Sequence, residues 1–437
     1  MKKLIVYVGW LLVALPLAAQ PAPLTVTEYK QKVLDYSRQI KQSAEQRMAM
    51  QEAMRTAKTG YFPKLDFSGS AQYRINDYNM DFGGTKIPME NETYSLEAGL
   101  TQNLYSGRAV HHSYKAAEIQ KDIAVKAEEL TVDNIIYSAD VNYWSTVAKK
   151  DLYLVMRQYV KIIRELEKVL TDRFRDGYIS KTDLLQVQAR LKDAELQKSN
   201  AFKQYQIALQ NLNVLMGMPP AAPVEVTDSI NMMQALPPEI GMEAAFASRP
   251  DYAMAGLNVE YQKRQVKLTR SKYLPSLSVG LKENWGTQML NLDGSTLWNT
   301  IAFASLNIPV FHWGSRTKDV NRQKAVLRST EYDLQLTKDQ IVQEISNAWT
   351  SLTENTKQIT VAEEACKIAE ENLDLNTFSY TEGKLPIIDV LSAQVTWIQS
   401  YSSLIQTWLQ QKVSLADYNK ACLLYTSPSP RDGLLSR

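Results

Sequence analysis

The sequence predicts a mainly α-helical chain with a small membrane β part, built as two tandem copies of one helix, strand, strand, long helix, helix unit. Three observations predict it. First, "FRDGYISKTDLLQVQA" from Phe174 and "YTEGKLPIIDVLSAQV" from Tyr380 share glycine, aspartate, leucine and glutamine positions about 206 residues apart, and self-similarity at a fixed offset marks a duplicated unit. Second, the stretches from Arg108 to about Arg173 and from Ser315 to about Thr381 contain neither proline nor glycine. At 1.5 Å per residue, about 66 residues make a rod of roughly 100 Å, which globular domains rarely hold. Third, short segments between the helices alternate apolar and polar residues with period two, the mark of half-buried strands.

At the N-terminus, Lys2 and Lys3 precede an uncharged run from Leu4 to Ala19 that ends in small residues. This reads as a secretory signal peptide, residues 1–19, too short for a confident membrane helix. The first repeat is expected at 20–216, with strands at about 62–77 and 92–105, a long helix at about 108–173 and a turn at 174–181. Leu65, Phe67, Ala71, Tyr73 and Ile75 lie on one face of its first strand, and Asp66, Ser68, Ser70, Gln72 and Arg74 on the other. In the second strand Tyr94, Leu96, Ala98 and Leu100 oppose Ser95, Glu97 and Thr101. On the long helix a stripe of Tyr137, Val141, Trp144, Ala148, Leu152, Val155, Tyr159, Ile162, Leu166 and Val169 has steps of three and four, the coiled-coil spacing. A second, patchier stripe holds Val132, Ile136, Ala139, Tyr143, Leu154 and Ile163, so each helix should have a neighbour on both sides. An ordinary antiparallel bundle is the alternative.

Residues 217–240 link the repeats. The second repeat, 241–421, should hold strands at about 274–286 and 297–311, a long helix at about 315–380 and a turn at 381–387. Its first strand continues the alternation with Leu277, Val279 and Leu281; its second is apolar on both parities and its faces cannot be assigned. The tail from Cys422 to Arg437 reads like one frame of a library sequencing adapter and is expected to be non-native.

Alternation alone also suits an antiparallel sheet on a soluble core. Two features favour a membrane instead. Tyr61, Phe62, Tyr105, Tyr273, Phe311 and Trp313 cluster at the strand ends like an interfacial girdle, and the strands are long enough to cross an outer membrane when tilted. Four strands cannot close a barrel, so several chains would have to share one.

Composition excludes other classes. Charges nearly cancel at a net +2, so bulk attraction to nucleic acid is not expected. Two cysteines make no disulfide framework. His111 and His112, with only His312 besides, lack the further ligands of a metal site. No nucleophile–base pair, phosphate loop or paired-acid signature occurs, so neither an enzyme nor a cofactor is expected.

The duplicated Gly-x5-Asp turn, the aromatic-x-Pro leading into each first strand, and "NLYSGR" and "NIPVFHWGSR" after each second strand resemble the TolC family of outer-membrane channels, over about Leu24 to Ala421. The resemblance implies a homotrimer in the outer membrane of a Gram-negative bacterium. Each chain would supply four strands to a 12-stranded β-barrel in outer-membrane lipid, continued by a periplasmic α-helical barrel. It further implies docking on a periplasmic adaptor and an inner-membrane transporter of RND, ABC or MFS type, with drugs or other small molecules exported. A type I protein secretion duct is the alternative within that reading, and a soluble periplasmic scaffold or adaptor the alternative outside it.

The repeated turns would then be the periplasmic tips. Gly177, Tyr178, Ile179 and Ser180, with Gly383, Lys384, Leu385 and Pro386, are the expected adaptor-docking residues. Asp389, Asp183, Tyr380, Arg175, Asp176, Glu382 and Lys384 are the pore-gate candidates. Gly177 and Gly383 supply the positive φ a tight turn needs, and for Asp183 and Asp389 helix capping stands beside a pore-facing role. Where the family has a basic residue and a second acidic residue, this chain has Leu385 and Ser392. In the first repeat Arg175 takes an acidic position, with Asp176 beside it.

Overall fold

A computed structural model describes residues 22–231, 235–287 and 295–422. The expected signal peptide and the tail after Cys422 lie outside the described residues; Cys422 itself is the buried last residue of a helix. The first repeat contains β1 (Ala22–Leu24), α1 (Val26–Tyr36), α2 (Arg38–Thr59), β2 (Lys64–Tyr73), β3 (Tyr78–Phe82), β4 (Thr85–Met89), β5 (Glu92–Ser106), α3 (Ala109–Arg175) and α4 (Lys181–Leu215). There follow β6 (Val224–Val226), α5 (Met242–Ser248), α6 (Pro250–Ser271), β7 (Ser276–Thr287), β8 (Thr296–Asn307), α7 (Ser315–Thr381) and α8 (Ile387–Cys422). The protein is mainly helical, and no described helix is long and apolar enough to cross a membrane.

The chain divides into two compact units. One comprises Lys41–Thr131 and Phe246–Ile341. Its centre is a four-stranded antiparallel sheet in the order β2-β5-β7-β8. Register sorts the side chains into two faces. Leu65 pairs with Leu100, Leu100 with Leu281, and Leu281 with Ala302, so these residues form one apolar row. On the opposite face Ser70 pairs with Ser95 and Asn284 with Asn299, and Lys282 bridges Glu97 at 2.7 Å.

The same register assigns the strand that the sequence left open: Trp298, Ala302, Ala304 and Leu306 of β8 join the apolar face. Ile301 and Phe303 fall on the polar face, where Phe303 covers Gly280; a side chain there would meet the Leu100 carbonyl at 2.7 Å. The sheet is not laid on a soluble core, since Leu65 and Phe67 are each 73% exposed.

Two departures from the expected order lie between β2 and β5. The first strand stops at Tyr73 instead of continuing to 77, and Ile75, expected on its apolar face, lies beyond it. After a last bond from the Arg74 amide to the Asn91 carbonyl, the chain leaves the sheet for the β3–β4 hairpin. Gly83 and Gly84, both with positive φ, make that turn, whose short strands carry no long alternation to announce them.

The other unit comprises the residues up to Ile40, Val132–Ala245 and those from Val342. Thr25 caps α1 through a reciprocal box with Glu28. The three-residue parallel pair β1–β6 ties the chain start to the inter-repeat segment. Beneath it the Tyr143 hydroxyl stands 2.7 Å from both the Leu24 carbonyl and the Asp228 carboxylate, sharing its one proton between them, while Asp228 accepts the Val26 amide at 2.7 Å. Lys412 lies buried 4.7 Å from the Trp144 ring, and its desolvation lowers its pKa while Asp228 opposes the shift.

The two helix stripes differ in depth. The patchier stripe is the deeper one, with Ile136, Ala139, Tyr143 and Ile163 buried. From the continuous stripe Ala148 and Tyr159 are buried, but Tyr137, Trp144, Leu152, Val155 and Ile162 are only half-buried and Val169 is exposed.

Candidate functional site

Each very long helix ends in the same turn. At the first, the Gly177 amide donates to the Phe174 carbonyl at 3.1 Å and the Tyr178 amide reaches back to the Arg173 carbonyl at 2.9 Å. At the second, the Gly383 amide donates to Tyr380 at 3.0 Å and the Lys384 amide to Ser379 at 2.9 Å. This closure satisfies the last carbonyls of a helix and requires a left-handed residue, here Gly177 at φ 79° and Gly383 at φ 74°. Space is no constraint, because a Cβ at either glycine would meet nothing within 4 Å.

Beyond the glycines the two turns differ. Ser180 caps α4: its hydroxyl accepts the Asp183 amide at 3.2 Å, and the Asp183 carboxylate accepts the Ser180 amide at 3.3 Å and hydroxyl at 2.9 Å. Pro386 stands at the equivalent place before α8 and has no side-chain acceptor; only its carbonyl is bonded, by the Asp389 amide at 3.2 Å. Half-buried Asp389 has no side-chain hydrogen bond or ion pair among the described residues. One carboxylate is thus committed to its own helix, and the other is left for something else.

The two turns share one hydrophobic core. Leu170 and Val187 from the first hairpin cluster with Leu373, Tyr380, Ile387 and Val390 from the second, and Ile179 packs against them. The Arg173 guanidinium lies 5.4 Å from the centre of the buried Tyr380 ring, whose hydroxyl has no partner among the described residues. Sequence reading singled out Arg175, which instead pairs with Asp172 at 3.3 Å in solvent. The missed signal is positional, since Arg173 supplies the carbonyl that closes the turn. Asp176, Glu382 and Lys384 are exposed, as are Ser180, Leu385 and Pro386, and Tyr178 is 80% exposed. The end of this hairpin pair therefore presents an apolar and aromatic rim beside uncommitted charges.

At the strand ends, Tyr61, Phe62, Tyr105, Phe311 and Trp313 are exposed. Tyr273 differs: half-buried, it donates its hydroxyl to Asp319 at 2.6 Å. Among the described residues no group of histidine, cysteine and carboxylate side chains is arranged to hold a metal; His111 instead stands 3.4 Å from the Tyr61 hydroxyl.

The sequence profile described as "Outer membrane efflux protein" matches residues 30–218 and 242–420. The chain is 22% identical over 372 residues to the outer membrane efflux protein BepC of Brucella suis biovar 1 (strain 1330), spanning 84% of this chain and 78% of that one. It is 21% identical over 346 residues to the toxin and drug export protein A of Aggregatibacter actinomycetemcomitans, spanning 78% and 74%. Among solved structures, the CmeC outer membrane channel of Campylobacter jejuni superposes with a TM-score of 0.77 at 18% identity, covering 91% of this chain and 85% of that one.

Proposed function

This chain belongs to the outer membrane efflux protein family, and from that membership we propose that three copies form one exit duct through the outer membrane. Each copy gives four strands to a shared barrel and its paired helices to a tube in the periplasm. The observation that carries this reading is the sheet β2-β5-β7-β8, apolar and exposed on one face, with no strand of this chain paired to the outer edges of β2 and β8 among the described residues. In lipid every backbone polar group must be satisfied, at several kcal/mol for each failure, and about eight strands is the smallest closed barrel. Neighbouring copies must close the edges. The helices support the same assembly, because Val361, Ile368 and Leu375 repeat every seven residues along α7 and are 67%, 67% and 59% exposed.

On this reading the paired turns are the periplasmic end, where a periplasmic adaptor docks against Tyr178, Leu385 and Pro386 and links the duct to an inner-membrane transporter. The exported cargo is drugs or other small molecules. The relative named for toxin and drug export supports an export role and favours protein secretion as the second reading. A soluble scaffold leaves the family match unexplained. Asp389, whose carboxylate has no partner among the described residues, would form a ring of three carboxylates around the axis. Mass measurement in detergent and planar-bilayer recording test the proposal together: a trimer with one conductance per particle is expected, and a fully conducting monomer overturns it.

A further inference from the structure

At the junction of strands and long helices the molecule gathers positive charge. Gly107 lies so close to the end of α6 that a side chain there would meet the Ser271 carbonyl at 2.8 Å, and Gly60 lies against Val110. The end of α2, the start of α3 and the end of α6 therefore form one surface. It carries Lys58, Arg108, Arg264, Lys267, Arg270 and Lys272, and no acidic residue occurs between Arg55 and Lys64, Gly107 and Lys115, or Lys263 and Lys272. All six except Arg264 are exposed, and none of the six makes an ion pair among the described residues. The His112 imidazole reports the crowding: partial burial lowers its pKa first, and repulsion from His111, Lys267, Arg264 and Arg108 adds to it.

Two ordinary explanations do not account for the patch. The whole chain carries only +2, so it is no by-product of a basic protein. Cations near the C-terminus of α6 favour that helix, but Arg108 immediately precedes α3, where the helix dipole disfavours a cation and attracts an anion. Beside the patch stand exposed Phe62, Phe311 and Trp313, linked to the end of α6 by the Tyr273 ring, 6.1 Å from that of His312.

We propose that this surface is a binding collar for the phosphate of an anionic phospholipid, whose acyl chains lie along the apolar face of the sheet. The inference rests on the membrane-duct reading above. Basic residues at a lipid surface attract anionic headgroups by about 1 kcal/mol each, a factor of roughly five.

The test is native mass spectrometry of the full chain in its assembled state, in detergent supplemented with equal amounts of phosphatidylglycerol and phosphatidylcholine of matched chain length. The wild type should retain phosphatidylglycerol preferentially, and the preference should fall as salt rises. The triple variant Arg108→Gln, Lys267→Gln, Lys272→Gln should lose most of it, roughly fivefold per neutralised cation if the contributions add. Equal retention of both lipids by the wild type, or a preference unchanged by salt, overturns the collar even if the variant fails to fold. Competition by millimolar inorganic phosphate would overturn the lipid assignment in favour of a general anion site. Failure of the wild type to depend on detergent or bilayer for solubility would instead overturn the duct reading, which separates the two outcomes.

Discussion

Asp183 and Asp389 occupy equivalent positions in the two repeats, yet Ser180 stands before one and Pro386 before the other. The serine completes a capping box that holds Asp183, whereas the proline leaves Asp389 without a reciprocal partner. Asp183→Ala is therefore expected to cost roughly 1 kcal/mol of stability, read as a lowered unfolding temperature, with ion selectivity unchanged. Asp389→Asn should do the reverse. If Asp389 forms the proposed ring in the duct, removing its charge should weaken block by multivalent cations from the periplasmic side and reduce cation preference in planar bilayers, with trimers intact. Unchanged block would assign Asp389 to its helix alone. Gly383 is constrained by φ and not by space, so Gly383→Val should cost roughly 1–2 kcal/mol and lower pump-dependent drug resistance at normal trimer abundance. The sequence shows these turns because glycine and aspartate recur at fixed spacing. The contrast between the two carboxylates was also legible, because a serine three residues before Asp183 can close a capping box and a proline before Asp389 cannot. The sequence does not show Arg173 over Tyr380, a contact between two helices distant in the chain.

At the scale of elements, alternation was enough to assign the faces of β2, of β7 and of β5 as far as Asn103, where a register shift before Tyr105 ends the parity. It failed for β8 because Phe303, an aromatic on the polar face, fills the space left by Gly280 on the neighbouring strand, and that pairing is visible only in register. Gly280→Leu should collide with both Phe303 and the Leu100 carbonyl and separate β5, β7 and β8; loss of the proposed trimer by mass measurement in detergent would report it. Helix seams were legible by spacing, but their depth was not. Spacing shows that a stripe is apolar, and only packing shows which stripe a chain covers itself. The half-buried stripe with Trp144 and Leu152 retains surface for a neighbour. The β1–β6 pair left no trace in the sequence, since three residues carry no period. It nonetheless positions Leu24 and Asp228 on the Tyr143 hydroxyl, so Tyr143→Phe should cost about 1–3 kcal/mol through two deprived acceptors, measured by thermal unfolding.

For the molecule as a whole, duplication was the most legible feature, because two copies of each turn and each strand boundary corroborate one another. Counting strands against the smallest closed barrel gives only that several chains share one, and the number three comes from the family. Lowering protein concentration in mild detergent should leave pore activity per trimer constant and yield no active monomer; conducting monomers would show that the sheet closes some other way. One feature of that sheet reaches beyond the finished channel. The strands β5 and β7 are immediate neighbours, and the bond from the Tyr94 amide to the Thr287 hydroxyl joins residues 193 positions apart. The hairpin of β2 and β5 is therefore synthesised long before the strand that covers its edge, and closing so large a loop is slow. Throughout that interval the nascent chain exposes an apolar strand edge of the kind that aggregates. Its biogenesis is therefore expected to need a partner that shields the half-made sheet in transit.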